Sequence, residues 1–160
     1  MKTYVETFPY LIYGHCIELT STKKSAIKCI YGKDLSYYDD ICENLCSGET
    51  SGKIKVGEFY VKWKVVTFVV STDWNNEYED GNNINGVYNS LEKAQKKLKE
   101  IVDEDIENNK DHSYALQDIE TNGEYSVYEL SKSDTLYEIW RKNDYRDWSF
   151  CVQIKKQYIN

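Results

Sequence analysis

Proline is almost missing from this chain of 160 residues; Pro9 is the only one, beside a single methionine and eight glycines. That scarcity, with no Gly-X-Y period, excludes a collagen-like rod or a proline-rich linker. Long apolar runs are missing too: no stretch nears the roughly 18 consecutive apolar residues of a membrane span. The N-terminus lacks a basic-then-apolar signal pattern, so conventional secretion is not expected. Histidine and arginine are scarce, at two each (His15, His112, Arg141, Arg146). Five cysteines form an odd set without framework spacing, which points to reduced thiols in a cytosol. What is abundant is apolar and aromatic: 41% hydrophobic residues, including 15 tyrosines, suffice for a real core. At 18.8 kDa the chain suits a single compact domain over 1–160, or two strand–helix–strand lobes at 1–70 and 71–160.

Charge is unevenly placed. The net charge is −7, yet residues 1–64 balance at +1 and residues 131–160 at +2, so residues 65–130 carry −10. A net acidic chain repels phosphate backbones, and direct nucleic-acid binding is not expected. Two readings of the acidic segment stand side by side. It is a solvated face that keeps the protein soluble, or a face that docks on a basic partner, such as a groove built for DNA or RNA. Tyrosine is enriched at interface cores and is equally a good strand former.

Val5 to Leu19 reads as one interrupted strand or two short edge strands, broken at Pro9 and Gly14. Thr20, Ser21 or Thr22 caps a short helix bearing Ala26, Ile27 and Ile30, and Ser36 caps a second with Tyr38, Ile41, Cys42 and Leu45. Ile54 to Val70 is the strongest strand signal, with a bend or bulge at Gly57. Asp73 to Gly86 reads as a polar loop, followed by a short strand at Gly86–Tyr88. Asn89 or Ser90 then caps the main helix, with a capping-box spacing from Asn89 to Glu92. Its apolar stripe is Leu91, Ala94, Leu98, Ile101, Val102 and Ile106. An antiparallel meander is expected beyond it: Tyr114–Glu120 and Glu124–Leu130 around an Asn122-Gly123 turn, then Leu136–Lys142 and Trp148–Ile154. The expected class is α+β: a mostly antiparallel sheet, one main helix at about 90–107 packed on a face, and one or two short N-terminal helices.

Chemistry-bearing constellations are sparse. His15 and Cys16 are neighbours in a strand-like run and point to opposite faces, so they form no nucleophile–base couple. Cys42 and Cys46 share a helix face, but no finger-like spacing supplies further zinc ligands. Phosphate-loop, dinucleotide, HExxH and GxSxG motifs are missing from the sequence. Neither catalysis nor a cofactor or metal is expected.

One segment has unusual character: Asp73-Trp74-Asn75-Asn76-Glu77-Tyr78-Glu79-Asp80, four carboxylates interleaved with two large aromatics. Trp74 and Tyr78 either pin a solvated loop to the core or anchor a partner while the carboxylates stand in for phosphates. The run Trp74 to Asp80 resembles an acidic stretch of phage-encoded inhibitors of CRISPR effector nucleases. Gly86 to Ala94 is similar to a strand–helix junction of small accessory proteins of phages and mobile elements. The resemblance covers residues 73–106. It implies an anti-CRISPR type of inhibitor, acting in the host bacterial cytosol on a host protein with a basic groove, a nuclease, without binding nucleic acid or membrane itself. Expected partner-binding residues are Asp73, Trp74, Glu77, Tyr78, Glu79 and Asp80, joined by Asp103, Glu104 and Glu107. The alternatives are an immunity or antitoxin-like protein neutralising a cognate toxin, and a small nucleotide-binding protein or enzyme using His15, His112 or the cysteines.

Overall fold

A computed structural model of the chain describes residues 2–32, 36–76, 78–108, 125–143 and 147–159. In chain order these form β1 (Tyr4–Thr7), β2 (Cys16–Ser21), α1 (Lys24–Ile30), α2 (Ser36–Cys46), β3 (Ser51–Val56), β4 (Phe59–Asn76) and β5 (Asp80–Tyr88). Helix α3 (Leu91–Asn108) follows, then β6 (Tyr125–Lys132), β7 (Leu136–Asn143) and β8 (Asp147–Tyr158). The class is α+β, with antiparallel ladders throughout the described pairings. Two compact units divide it: Met1–Thr67 with Lys156–Asn160, and Phe68–Lys155. Strand β4 passes from the first into the second.

In the first unit, β4 is flanked by β2 on one edge and β3 on the other, and β1 adds outside β2. The expected single strand over Ile54–Val70 is therefore two strands. Val56 faces Phe59 across a two-residue turn in which Gly57 takes φ +60, the position where glycine permits a tight hairpin. Likewise β2 is not an edge strand, since it lies between β1 and β4. Helices α1 and α2 bury Ala26, Ile27, Ile30 and Ile41 against Ile17, Leu19, Val61 and Trp63 of the sheet. The α1 cap differs from expectation: Lys23 holds the cap position with no side-chain bond, and Ser21 Oγ accepts the Lys23 N–H. Glu18, buried in β2, meets the Lys156 ammonium and accepts the Tyr158 hydroxyl at 2.8 Å, so its charge is paired on the C-terminal end of the chain.

In the second unit, β4 from Phe68 onward pairs with β5, and β8, β7 and β6 follow in order from β4. Helix α3 buries Ala94, Leu98 and Val102, every fourth residue of its stripe, and packs on β5. Its cap is Ser90, whose Oγ accepts the Lys93 N–H at 3.2 Å; Asn89 instead accepts the Lys93 ammonium, so the expected Asn89–Glu92 box is not the cap. The expected Tyr114–Glu120 strand, the Asn122-Gly123 turn and His112 lie outside the described residues.

Candidate functional site

The polar segment expected as a loop is a β-hairpin. Strand β4 continues to Asn76, β5 starts at Asp80, and the ladder Ser71↔Ile84, Thr72↔Asn83, Asp73↔Asn82, Trp74↔Gly81 and Asn75↔Asp80 runs to the tip. Asparagine and glycine are poor strand formers, but the long apolar half of β4 carries the pairing outward and overrides their propensity. At the tip, Asn76 Oδ1 accepts the N–H groups of Tyr78 (2.9 Å) and Glu79 (3.0 Å), the side-chain turn that asparagine favours.

One irregularity decides which side chains share a face. Val70 pairs with Gly86 and Ser71 with Ile84, so Asn85 is a bulged extra residue. Its amide donates to Thr72 Oγ1 at 3.1 Å, satisfying a buried hydroxyl. Because strand side chains alternate, the one-residue offset swaps the faces of all β5 residues beyond it. Ile84 and Val87, three apart, consequently lie on one face, with Asn82 and Asp80 and opposite Asp73 and Val69. On the other face stand Phe68, Val70 and Thr72, all buried, and Trp74 with its partner Gly81.

The outer face thus combines two acids with two apolar side chains in water: Ile84 is 73% exposed and Val87 61%. Asp73 is half-buried, and its carboxylate accepts Gln153 Nε2 from β8 at 2.7 Å, which fixes its orientation. From residue 65 to residue 92 the chain holds Asp73, Glu77, Glu79, Asp80 and Glu92 and not one Lys, Arg or His. The hairpin itself therefore carries only negative charge at neutral pH.

The expected site residues separate accordingly. Asp73 and Asp80 lie together on the outer face, and Tyr78 and Glu79 project from the tip, with Tyr78 80% exposed. Glu77 lies outside the described residues. Trp74 is on the opposite face to the acids, half-buried, its ring laid over Gly81 so closely that a Cβ there would sit 2.2 Å from Cζ2. Asp103, Glu104 and Glu107 belong to the last turns of α3, a different element, and Asp103 pairs with Lys99 on the same helix face. Ile84 and Val87 are the residues that sequence reasoning missed. The doublet Asn85-Gly86 is the only signal that could have revealed them, since a bulge there is invisible to a strict two-residue alternation.

Two of the five thiols, those of Cys16 and Cys151, are shifted away from the reactive thiolate form, because burial pushes both up. Cys42 and Cys46 lie beside the Tyr38 and Tyr13 hydroxyls. His15 is exposed at a turn while Cys16 is buried. Among the described residues no group of three or more His, Cys, Asp or Glu is placed to hold a metal ion, and no helix is long and apolar enough to cross a membrane. Comparison with protein-family models, with curated proteins and with solved structures returns no match.

Proposed function

We propose that the chain is a non-catalytic inhibitor of the anti-CRISPR type, encoded by a phage or mobile element, that binds a nucleic-acid-handling defence enzyme in the host cytosol. The observation that carries this reading is the outer face of the β4–β5 hairpin, where Asp73 and Asp80 share one surface with exposed Ile84 and Val87 in a segment without a single cation. A groove that binds DNA or RNA is lined with Lys and Arg. It attracts such a surface over a distance of about one Debye length, roughly 8–10 Å at physiological salt. The two apolar side chains supply what charge alone lacks: desolvated contact that slows dissociation. Glu79 and Tyr78 at the tip extend the same surface.

Affinity capture from a bacterial lysate with the wild-type protein and with an Asp73→Asn/Asp80→Asn variant tests this. The expected result is a nucleic-acid-binding protein retained by the wild type, released by duplex DNA, and depleted with the variant. A partner held equally by both proteins, or one indifferent to DNA, contradicts the proposal.

A further inference from the structure

A second surface, in the first unit, is built from different residues. Ile12 and His15 exchange both backbone hydrogen bonds (3.0 and 2.8 Å) around Tyr13-Gly14, and both central residues have positive φ, +48 and +78. This is a type I′ hairpin turn, whose first central position is taken without strain by Asn, Asp or Gly. Here it holds tyrosine, the one non-glycine residue of positive φ among the described residues. The ring is not drawn into the core: Tyr13 is 68% exposed, and Tyr10 and Leu11 of the same segment are 51% and 39% exposed. The segment is nevertheless anchored from beneath, because Phe8 and Ile12 are buried. Phe8 also meets Tyr10 edge-on at 4.6 Å, and Tyr10 in turn lies 6.2 Å from the Tyr38 ring. The neighbouring helix α2 completes the surface. The Tyr13 hydroxyl lies beside Cys46, and of the α2 acids it is the exposed Asp39 whose charge Tyr13 feels. From residue 36 to residue 52 the chain contains no Lys, Arg or His.

We propose that the Tyr13 turn and the adjoining face of α2 form a docking surface for an arginine-bearing segment of a partner protein. Strained backbone at an exposed, well-anchored position marks a residue kept for something other than folding. The combination of ring faces with an adjacent carboxylate selects among cations. A guanidinium stacks flat on tyrosine and at the same time forks onto a carboxylate, whereas an ammonium is a compact, strongly hydrated charge that does neither as well. The surface is independent of the β4–β5 hairpin, and either can fail without the other.

The test uses the full chain, an octa-arginine peptide and an octa-lysine peptide of equal charge, read by two-dimensional amide NMR and calorimetric titration. Arginine peptide is expected to shift the signals of residues 10–15 and 38–46 and to bind more tightly than lysine peptide. Tyr13→Asn is expected to raise Tm, since asparagine suits the turn, while weakening arginine-peptide binding by roughly two- to fivefold, the scale of an exposed cation–π contact. Asp39→Asn should weaken it too, and Asp73→Asn/Asp80→Asn should leave those shifts in place. Equal binding of the two peptides, binding unaltered by Tyr13→Asn, or a lowered Tm for that variant overturns the proposal. So does a concentration-dependent dimer abolished by Tyr13→Asn, which would make a second copy the occupant.

Discussion

Trp74 lies flat over Gly81, its cross-strand partner, and the first unit repeats the arrangement with Trp63 over Gly52. In both pairs a large ring covers the strand glycine opposite, shielding backbone that the missing side chain would otherwise leave open. The two pairs differ in burial: Trp63 is inside the core, Trp74 only half covered. A methyl group at Gly52 would stand 2.4 Å from Trp63 Nε1, with no room for the ring to retreat. Gly52→Ala should therefore cost about 1–3 kcal/mol by overpacking. Gly81→Ala should cost clearly less, because Trp74 can swing into solvent. Urea unfolding of the two variants checks the order; equal losses would place Trp74 in the core.

The bulge makes a separate prediction. Asn85→Ala removes the donor to the buried Thr72 hydroxyl and should cost about 1–3 kcal/mol. Deleting Asn85 closes the ladder while leaving the pairs Val70–Gly86, Ser71–Ile84 and Asn75–Asp80 as they are, so Ile84, Val87 and Asp80 stay on the face of Asp73. The deletion loses the same hydrogen bond to Thr72 and should cost about as much as the substitution in urea unfolding. A deletion variant as stable as the wild type would mean that this hydrogen bond contributes nothing.

Helix α3 is tested at two adjacent residues. Leu98 is buried and Lys97 pairs with Glu100 at the surface. Leu98→Ala should cost about 2–5 kcal/mol as a core truncation, and Lys97→Ala no more than about 0.5 kcal/mol. Equal denaturation midpoints would mean a rotated helix.

The first unit should weaken in alkali. Burial, then the hydrogen bond to Glu6, pushes the Tyr31 phenol up to about 12 from 10.0. The hydrogen bond to Glu18 likewise raises Lys156 above its ordinary 10.5. A folded-state pKa raised above the unfolded value contributes stability that is complete below the unfolded pKa and is lost as pH climbs through the folded one. Stability should thus fall between pH 10 and 12, and Tyr31→Phe should flatten that fall. A wild-type denaturation midpoint constant across this range contradicts it.

Much of the fold was legible where one physical signal dominated. The stripe Ala94, Leu98, Val102 is a periodicity set by burial and appears where the pattern put it; the last strand forms as expected, but Val152 alone of Trp148, Phe150, Val152 and Ile154 is buried. Ile54–Val70 misled because a two-residue turn leaves so short a break in an apolar run that glycine reads as a bend. The 73–86 segment misled for the opposite reason: its Asn and Gly residues have little strand preference of their own and are held by the partner strand. The acidic character of the candidate site was legible, since charge is additive along a chain. Its geometry was not, since the Asn85 offset decides which residues stand beside Asp73, and Trp74 proves to face away from the acids. The strained Tyr13 looked only like part of an interrupted strand, because φ is not written in residue type.

The most direct test of the proposed docking face is binding kinetics on a captured partner, comparing wild type, Asp73→Asn/Asp80→Asn and Ile84→Ser/Val87→Ser over a range of salt. Each variant is first checked for an unchanged Tm. Neutralising the acids should slow association, with the deficit shrinking as salt rises, because steering by exposed charge is screened. Replacing the apolar pair should speed dissociation at all salt concentrations, as the loss of desolvated contact does. Association and dissociation rates unchanged in both variants would contradict the account.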